Sequence, residues 1–179
     1  HAEIVVESAN AEVSGIFCEK PMATNLSDAD RMVQACEKNN TILSIDHTRR
    51  WYPLYRKTRE LVRKGVIGSV QYIIGTLGGP RAMLFRNGTH LIDTICFFAE
   101  SSPKWVNAKL EKGYENYWEY QGDGGHDPKT EPGATGYIHF KNDVRGFYVG
   151  LKETPGGFRL EIVGSDGYIL INDQKAEIY

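Results

Sequence analysis

Residues 15–45 read GIFCEKPMATNLSDADRMVQACEKNNTILSI, and the order of apolar and polar runs in this stretch decides the fold class. Gly15 opens a short apolar run, Ile16-Phe17-Cys18, of the length and character of a buried strand. Asn25 to Asp30 then starts a helix, with Ser27 as its expected N-cap and Asp30, three residues on, as the acidic member of a capping box. Met32, Val33, Ala35 and Cys36 supply its buried face, and Asn39-Asn40 ends it. Thr41 to Ile45 is short and dense in β-branched residues, which reads as a second strand. Upstream, Ile4, Val5, Ser8 and Ala9 suit a helix over Ala2–Val13 laid on a sheet and stopped by Gly15. Buried strands alternating with helices belong to a parallel, doubly wound sheet, of which residues 1–47 supply the last third.

A different grammar follows. Pro53 suits a first helical position, and Leu54, Thr58, Leu61 and Val62 form a stripe that ends at Lys64-Gly65. Val70–Leu77 reads as a strand and Thr89–Ala99 as an apolar helix. Beyond Pro103, strands are expected over Trp105–Lys109, Gly136–Phe140, Val144–Gly150, Phe158–Val163 and Tyr168–Ile171, with turns at Asn142-Asp143 and Ser165-Asp166-Gly167. Strands that follow helices without alternating with them indicate an α+β unit built on a large, mostly antiparallel open sheet. The expected domains are therefore 1–47 and 48–179, the second open to truncation at its carboxyl end. The glycine- and aromatic-rich stretch Tyr114–Gly133 is too long for a plain connection and reads as a functional or a mobile loop.

Composition narrows the function classes. Lys and Arg number 21 against 23 Asp and Glu, a formal charge of −2 spread along the chain, so the basic footprint of a nucleic-acid binder is missing. No apolar run approaches the roughly 20 residues of a spanning helix, and no membrane partner is expected. Cys18, Cys36 and Cys96 lack paired spacing, which argues for reduced thiols in a cytoplasmic protein and against a disulfide framework or a zinc site. The chain opens on His1 inside a helical pattern, as a fragment would.

Three groups of residues can carry chemistry. Glu19-Lys20-Pro21 follows a buried strand, at the end where open α/β sheets place their ligands. Lys20 can there donate to a substrate hydroxyl and stabilise developing negative charge, a reading that Pro21 favours by fixing the turn and the direction of its neighbours, or be an ordinary surface lysine after a strand. His90 and Asp93 are three apart at the start of a helix, an arrangement that lets a carboxylate tune an imidazole as general base, or else simply caps a helix. Arg50, after the second strand, can clamp a polar substrate or position a cofactor, or else pack its stem on Trp51 or pair with an acid. His126-Asp127 and His139 lack a fixed spacing to further ligands, and no metal is assigned. Tyr114, Tyr117, Trp118 and Tyr120 read as a sugar-facing wall, as loop anchors or as dimer contacts.

In sequence order, His1-Ala2-Glu3, Gly15 to Ala23, Arg50-Trp51-Tyr52-Pro53, Gly65-Val66-Ile67-Gly68, Gly88-Thr89-His90-Leu91-Ile92-Asp93 and Glu161 to Gly167 resemble the glucose-fructose oxidoreductase / inositol dehydrogenase / MocA family. The resemblance implies a Rossmann domain followed by an α+β domain, and an NAD- or NADP-dependent oxidoreductase acting on sugars, cyclitols or related small hydroxy and keto compounds. It places Glu19, Lys20 and Pro21 beside the cofactor and makes Lys20 and His90 catalytic, converging across one cleft. Arg50, Asp93 and Arg86 fall on the substrate side, with Asp93 supporting His90 or its helix. It also implies a homodimer or higher oligomer through the open sheet. Two departures stand out: Arg86 occupies a position four before His90 where many members carry Asp, and no Gly-x-Gly-x-x-Gly occurs. The expectation is a fragment that binds cofactor poorly and is inactive alone, with a non-catalytic dimerisation or ligand-binding module as the alternative.

Overall fold

Residues 1–47 build α1 (Ala2–Asn10), β1 (Gly15–Glu19), α2 (Leu26–Lys38) and β2 (Ile42–Asp46). The computed structural model describes all 179 residues, and contacts divide them into two units, 1–47 with 117–121, and 48–116 with 122–179. In the first unit β1 and β2 run parallel, with Gly15 opposite Ile42 and Glu19 opposite Asp46. Val5, Ala9, Cys18, Met32 and Cys36 form its core. The helices cover one side only, and Phe17 and Ile42 are 65% and 73% exposed.

Details differ from the sequence reading for local reasons. Asn25, not Ser27, caps α2: it lies in extended backbone, accepts from the Asp28 amide at 2.8 Å, and donates back to the Asp28 carboxylate at 2.9 Å. Ser27 is already inside the first turn, where its hydroxyl cannot play that part. α1 ends at Asn10 because Glu12 takes a left-handed conformation, φ 60°. Ile4 is exposed because Val5 and Ala9, four apart, define the buried stripe.

The second unit contains α3 (Pro53–Arg63), β3 (Val70–Gly78), α4 (Thr89–Ala99), β4 (Pro103–Leu110), β5 (Ala134–Phe140), β6 (Arg145–Leu151), β7 (Gly157–Gly164), β8 (Tyr168–Asn172) and β9 (Ala176–Ile178). Seven strands form one sheet in the order β4-β5-β6-β3-β7-β8-β9, antiparallel except where β3 meets β6. The two-residue alternation of β3 turns Ile73 and Leu77 inward to Leu91, Ile95 and Phe98 of α4. Gly75 makes this approach possible, since a Cβ there would fall 2.8 Å from Leu91 Cδ1 and 2.9 Å from Ile95 Cδ1. Tyr72, Phe147, Tyr137 and Trp105 share the opposite, open face, linked ring to ring at 5.0–6.3 Å. β9 was not legible in sequence, being three residues long and formed by pairing with β8. No helix is long and apolar enough to cross a membrane.

Candidate active site

Glu19 closes β1 and is exposed, while Lys20 and Pro21, just past the strand's carboxyl end, are partly buried. This is the end at which parallel sheets present ligand-binding side chains. Gly15 is the single glycine of residues 1–47, so these residues contain no glycine-rich cradle for a dinucleotide pyrophosphate.

In the second unit a π-helical turn, Leu84–Gly88, runs straight into α4, Gly88 itself being helical at φ −61° and ψ −35°. Sequence periodicity does not reveal a π turn, because it inserts a residue without altering composition. His90 thus lies in the first turn of α4, where its carbonyl accepts from the Thr94 hydroxyl at 2.7 Å. Asp93, one turn on, is gripped by Arg50: Nε donates to both carboxylate oxygens at 2.9 Å and Nη2 to Oδ1 at 2.8 Å. The Asp93 side chain is 13% exposed and that of Arg50 40%. Arg50 and Asp93 are therefore brought together, and the carboxylate's firm partner is the guanidinium. The Arg50 guanidinium also lies 5.2 Å from the Phe97 ring centre. Burial, with the Asp93 charge adding to it, pushes the neighbouring Cys96 thiol up to about 11, which leaves it unsuited to nucleophilic work near neutral pH.

Arg86 projects from the π turn and donates from Nη1 to the Gly124 carbonyl at 2.9 Å. Two further contacts tie that turn to the long loop: the Leu84 amide donates to the Pro132 carbonyl at 2.9 Å, and the Phe85 amide to the Glu131 carboxylate at 3.1 Å. Glu131 is 1% exposed. Lys152 holds the loop from below, pairing with Glu111 at 2.7 Å and donating to the carbonyls of Pro128 and Glu131 at 2.8 Å each. Sequence reasoning missed Glu111, Glu131 and Lys152; the one available signal was an acid directly before Pro132-Gly133. Under the turn lies the buried Tyr148 ring, its hydroxyl so close to Gly88 that no side chain would fit there, and burial raises its phenol well above the ordinary value.

The remaining candidates separate. Tyr114 is a loop anchor, its hydroxyl donating to the Lys129 carbonyl at 2.6 Å and its ring 4.9 Å from the Lys152 ammonium. Tyr117 accepts from the Gln121 amide at 2.9 Å, and Trp118 is 84% exposed. His139 stacks on Trp105 at 5.4 Å on the open face of the sheet. No three His, Cys, Asp or Glu side chains gather as a metal site would require.

Two family models match the chain: the NAD-binding Rossmann fold of the GFO/IDH/MocA oxidoreductases over residues 1–47, and the GFO/IDH/MocA C-terminal domain over residues 55–170. Myo-inositol 2-dehydrogenase of Thermotoga maritima is 40% identical over 68 residues, 38% of this chain and 20% of that enzyme. D-xylose 1-dehydrogenase (NADP+) of Haloarcula marismortui is 32% identical over 75 residues, 42% of this chain and 21% of that enzyme. An oxidoreductase of Agrobacterium radiobacter, solved in complex with NAD+, L-tartaric acid and magnesium, shares the fold at a TM-score of 0.75 and 19% identity, over 100% of this chain and 57% of its own. The chain thus spans less than two thirds of the length of the relatives it matches. The C-terminal match alone takes in most of the chain, including strands β3 to β7 and the helix that bears His90 and Asp93, and this chain belongs to the GFO/IDH/MocA oxidoreductase family.

Proposed function

We propose that these residues form part of an NAD(P)-dependent oxidoreductase that interconverts a hydroxyl and a carbonyl on a sugar, cyclitol or related small molecule. The observation that carries this reading is the anchored His90 turn: Arg50 grips Asp93 at 2.8–2.9 Å, and the side chain three residues earlier on α4 is an imidazole. Residues 1–47 would serve as the end of the dinucleotide-binding domain and residues 48–179 as the substrate domain.

In the oxidative direction the nicotinamide accepts hydride from the carbon that bears the hydroxyl. His90 takes the hydroxyl proton as general base and returns it in the reverse direction, for which an imidazole is suited near neutral pH. Lys20 donates a hydrogen bond to the reacting oxygen and offsets the charge that develops on it, while Glu19 and Pro21 line the cofactor side. Arg50, Asp93 and Arg86 shape the substrate side. The free thiols of Cys18, Cys36 and Cys96 agree with a reducing, cytoplasmic setting.

The test is His90→Ala and Lys20→Ala in the complete enzyme. Each should lower turnover by about 100-fold or more with unchanged circular dichroism. The 179-residue chain alone should show no tight NAD(H) or NADP(H) binding by calorimetry, because its segment of the sheet has no glycine cradle. A second reading, a non-catalytic dimerisation module, is favoured by one feature: the open face, where Trp105 is 49% and Phe147 36% exposed. That face suits pairing with a second copy in either reading, and unchanged turnover in both variants would leave the module alone.

A further inference from the structure

Three consecutive residues before α4 are each bonded to the loop that closes over them: Leu84 to Pro132, Phe85 to Glu131 and Arg86 to Gly124. The first two bonds use backbone amides, which any residue supplies. The third depends on the side chain at position 86 being long and a donor. A carboxylate there would set an acceptor against the Gly124 carbonyl, and an aspartate would also be too short to reach it.

The loop is shaped to receive this arginine. Gly124 and Gly125 take φ +80° and +82°, where L side chains are strained, and a Cβ on Gly125 would collide with the Arg86 side chain, 2.6 Å from Nη1. Just before them the Asp123 carboxylate accepts from the amides of Gly125 at 3.1 Å, His126 at 2.8 Å and Asp127 at 2.8 Å, and from the Thr130 hydroxyl at 3.1 Å. The segment that Arg86 holds is thus a preformed turn, and the tie fixes it as one body against the residues leading to His90.

We propose that Arg86 is a positioning residue for the turn that leads to His90. It ties residues 122–127, matched to it by Gly124-Gly125, against that turn and so fixes how the start of α4 presents the imidazole. This rests on the dehydrogenase reading above.

Hydrogen exchange on the 179-residue chain tests the tie without any activity. Arg86→Met keeps the length and removes the donor, Gly125→Val displaces the guanidinium, and Arg86→Lys restores a donor. The first two should raise exchange across residues 122–131 at least tenfold while residues 89–99 keep theirs, and the lysine should recover most of the protection. Unchanged exchange in Arg86→Met overturns the tie. In the complete enzyme, Arg86→Met should lower kcat at least fivefold with KM little changed, and Arg86→Lys should recover most of it. Unchanged kcat in Arg86→Met in an active enzyme overturns the positioning role alone. A wild-type enzyme that oxidises no hydroxy compound overturns that role together with the dehydrogenase reading, while the exchange data still decide whether the tie exists.

Discussion

Arg50 and Asp93, 43 positions apart in the chain, lock together through three contacts of 2.8–2.9 Å, which fixes the 3₁₀ turn Thr48–Arg50 to the first turns of α4. The Asp93 side chain is mostly buried, and the Arg50 guanidinium is the donor that satisfies its carboxylate oxygens. Arg50→Ala should therefore leave an uncompensated carboxylate and destabilise the second unit by about 2–3 kcal/mol, whereas Asp93→Asn, which keeps an acceptor, should cost about half as much. Urea unfolding followed by tryptophan fluorescence measures both, and equal losses would mean that charge contributes little.

A second fixture joins residues distant in sequence. Asp173 accepts from Arg49 Nε at 2.9 Å and Nη2 at 2.6 Å, and from the hydroxyl of the fully buried Tyr55 at 2.8 Å. Tyr55→Phe removes one donor and should cost about 1 kcal/mol; Asp173→Ala leaves the Tyr55 hydroxyl and both Arg49 donors without this acceptor and should cost about 2–3 kcal/mol. The double variant should fall short of the sum, because both changes break the same bond.

Gly75→Ala addresses how α4 rests on the sheet. The added methyl meets the ends of the Leu91 and Ile95 side chains closer than carbon atoms tolerate, and these must repack beneath α4. A loss of about 1–3 kcal/mol is expected, together with altered His90 resonances in the NMR spectrum. Gly113→Ala, at a left-handed glycine with nothing within 4 Å, should leave those resonances in place.

Alkaline pH gives a directional prediction from Cys96. Burial raises its thiol from 9.0 to about 11 in the folded chain, so the unfolded chain loses the proton first. Stability is then flat below about pH 9 and falls as pH rises toward 11, by up to about 3 kcal/mol from this group. Cys96→Ala should flatten that fall, and an identical pH profile in the variant would show that the thiol is not its source.

Near neutral and acid pH the loop residue Asp123 acts in the opposite sense. Partial desolvation pushes its carboxyl up, but the amides of Asp127, His126 and Gly125 and the Thr130 hydroxyl together hold it below the ordinary value. Its contribution is present above the unfolded value and lost as pH falls through the lowered one. Exchange across residues 122–131 should therefore quicken on acidification relative to the intrinsic rate, and Asp123→Asn should show the quickened state at neutral pH.

The sequence by itself determined the elements whose signals are local. The strand-helix-strand run of residues 15–45 appears as β1, α2 and β2, the apolar stripe of residues 89–99 as α4, and Pro53 at the start of α3, because periodicity, helix-starting prolines and β-branched density act over a few residues. Local signals also marked the candidates for chemistry, Lys20 after a strand and His90 at a helix start. Only the tertiary structure decided who holds whom. That Asp93 belongs to Arg50, that Arg86 reaches the loop at Gly124, and that Glu131 is buried against the Phe85 amide are pairings across 43, 38 and 46 positions. No local preference encodes them, since each arises only when the packed sheet brings two polar groups distant in the chain within hydrogen-bond reach of one another.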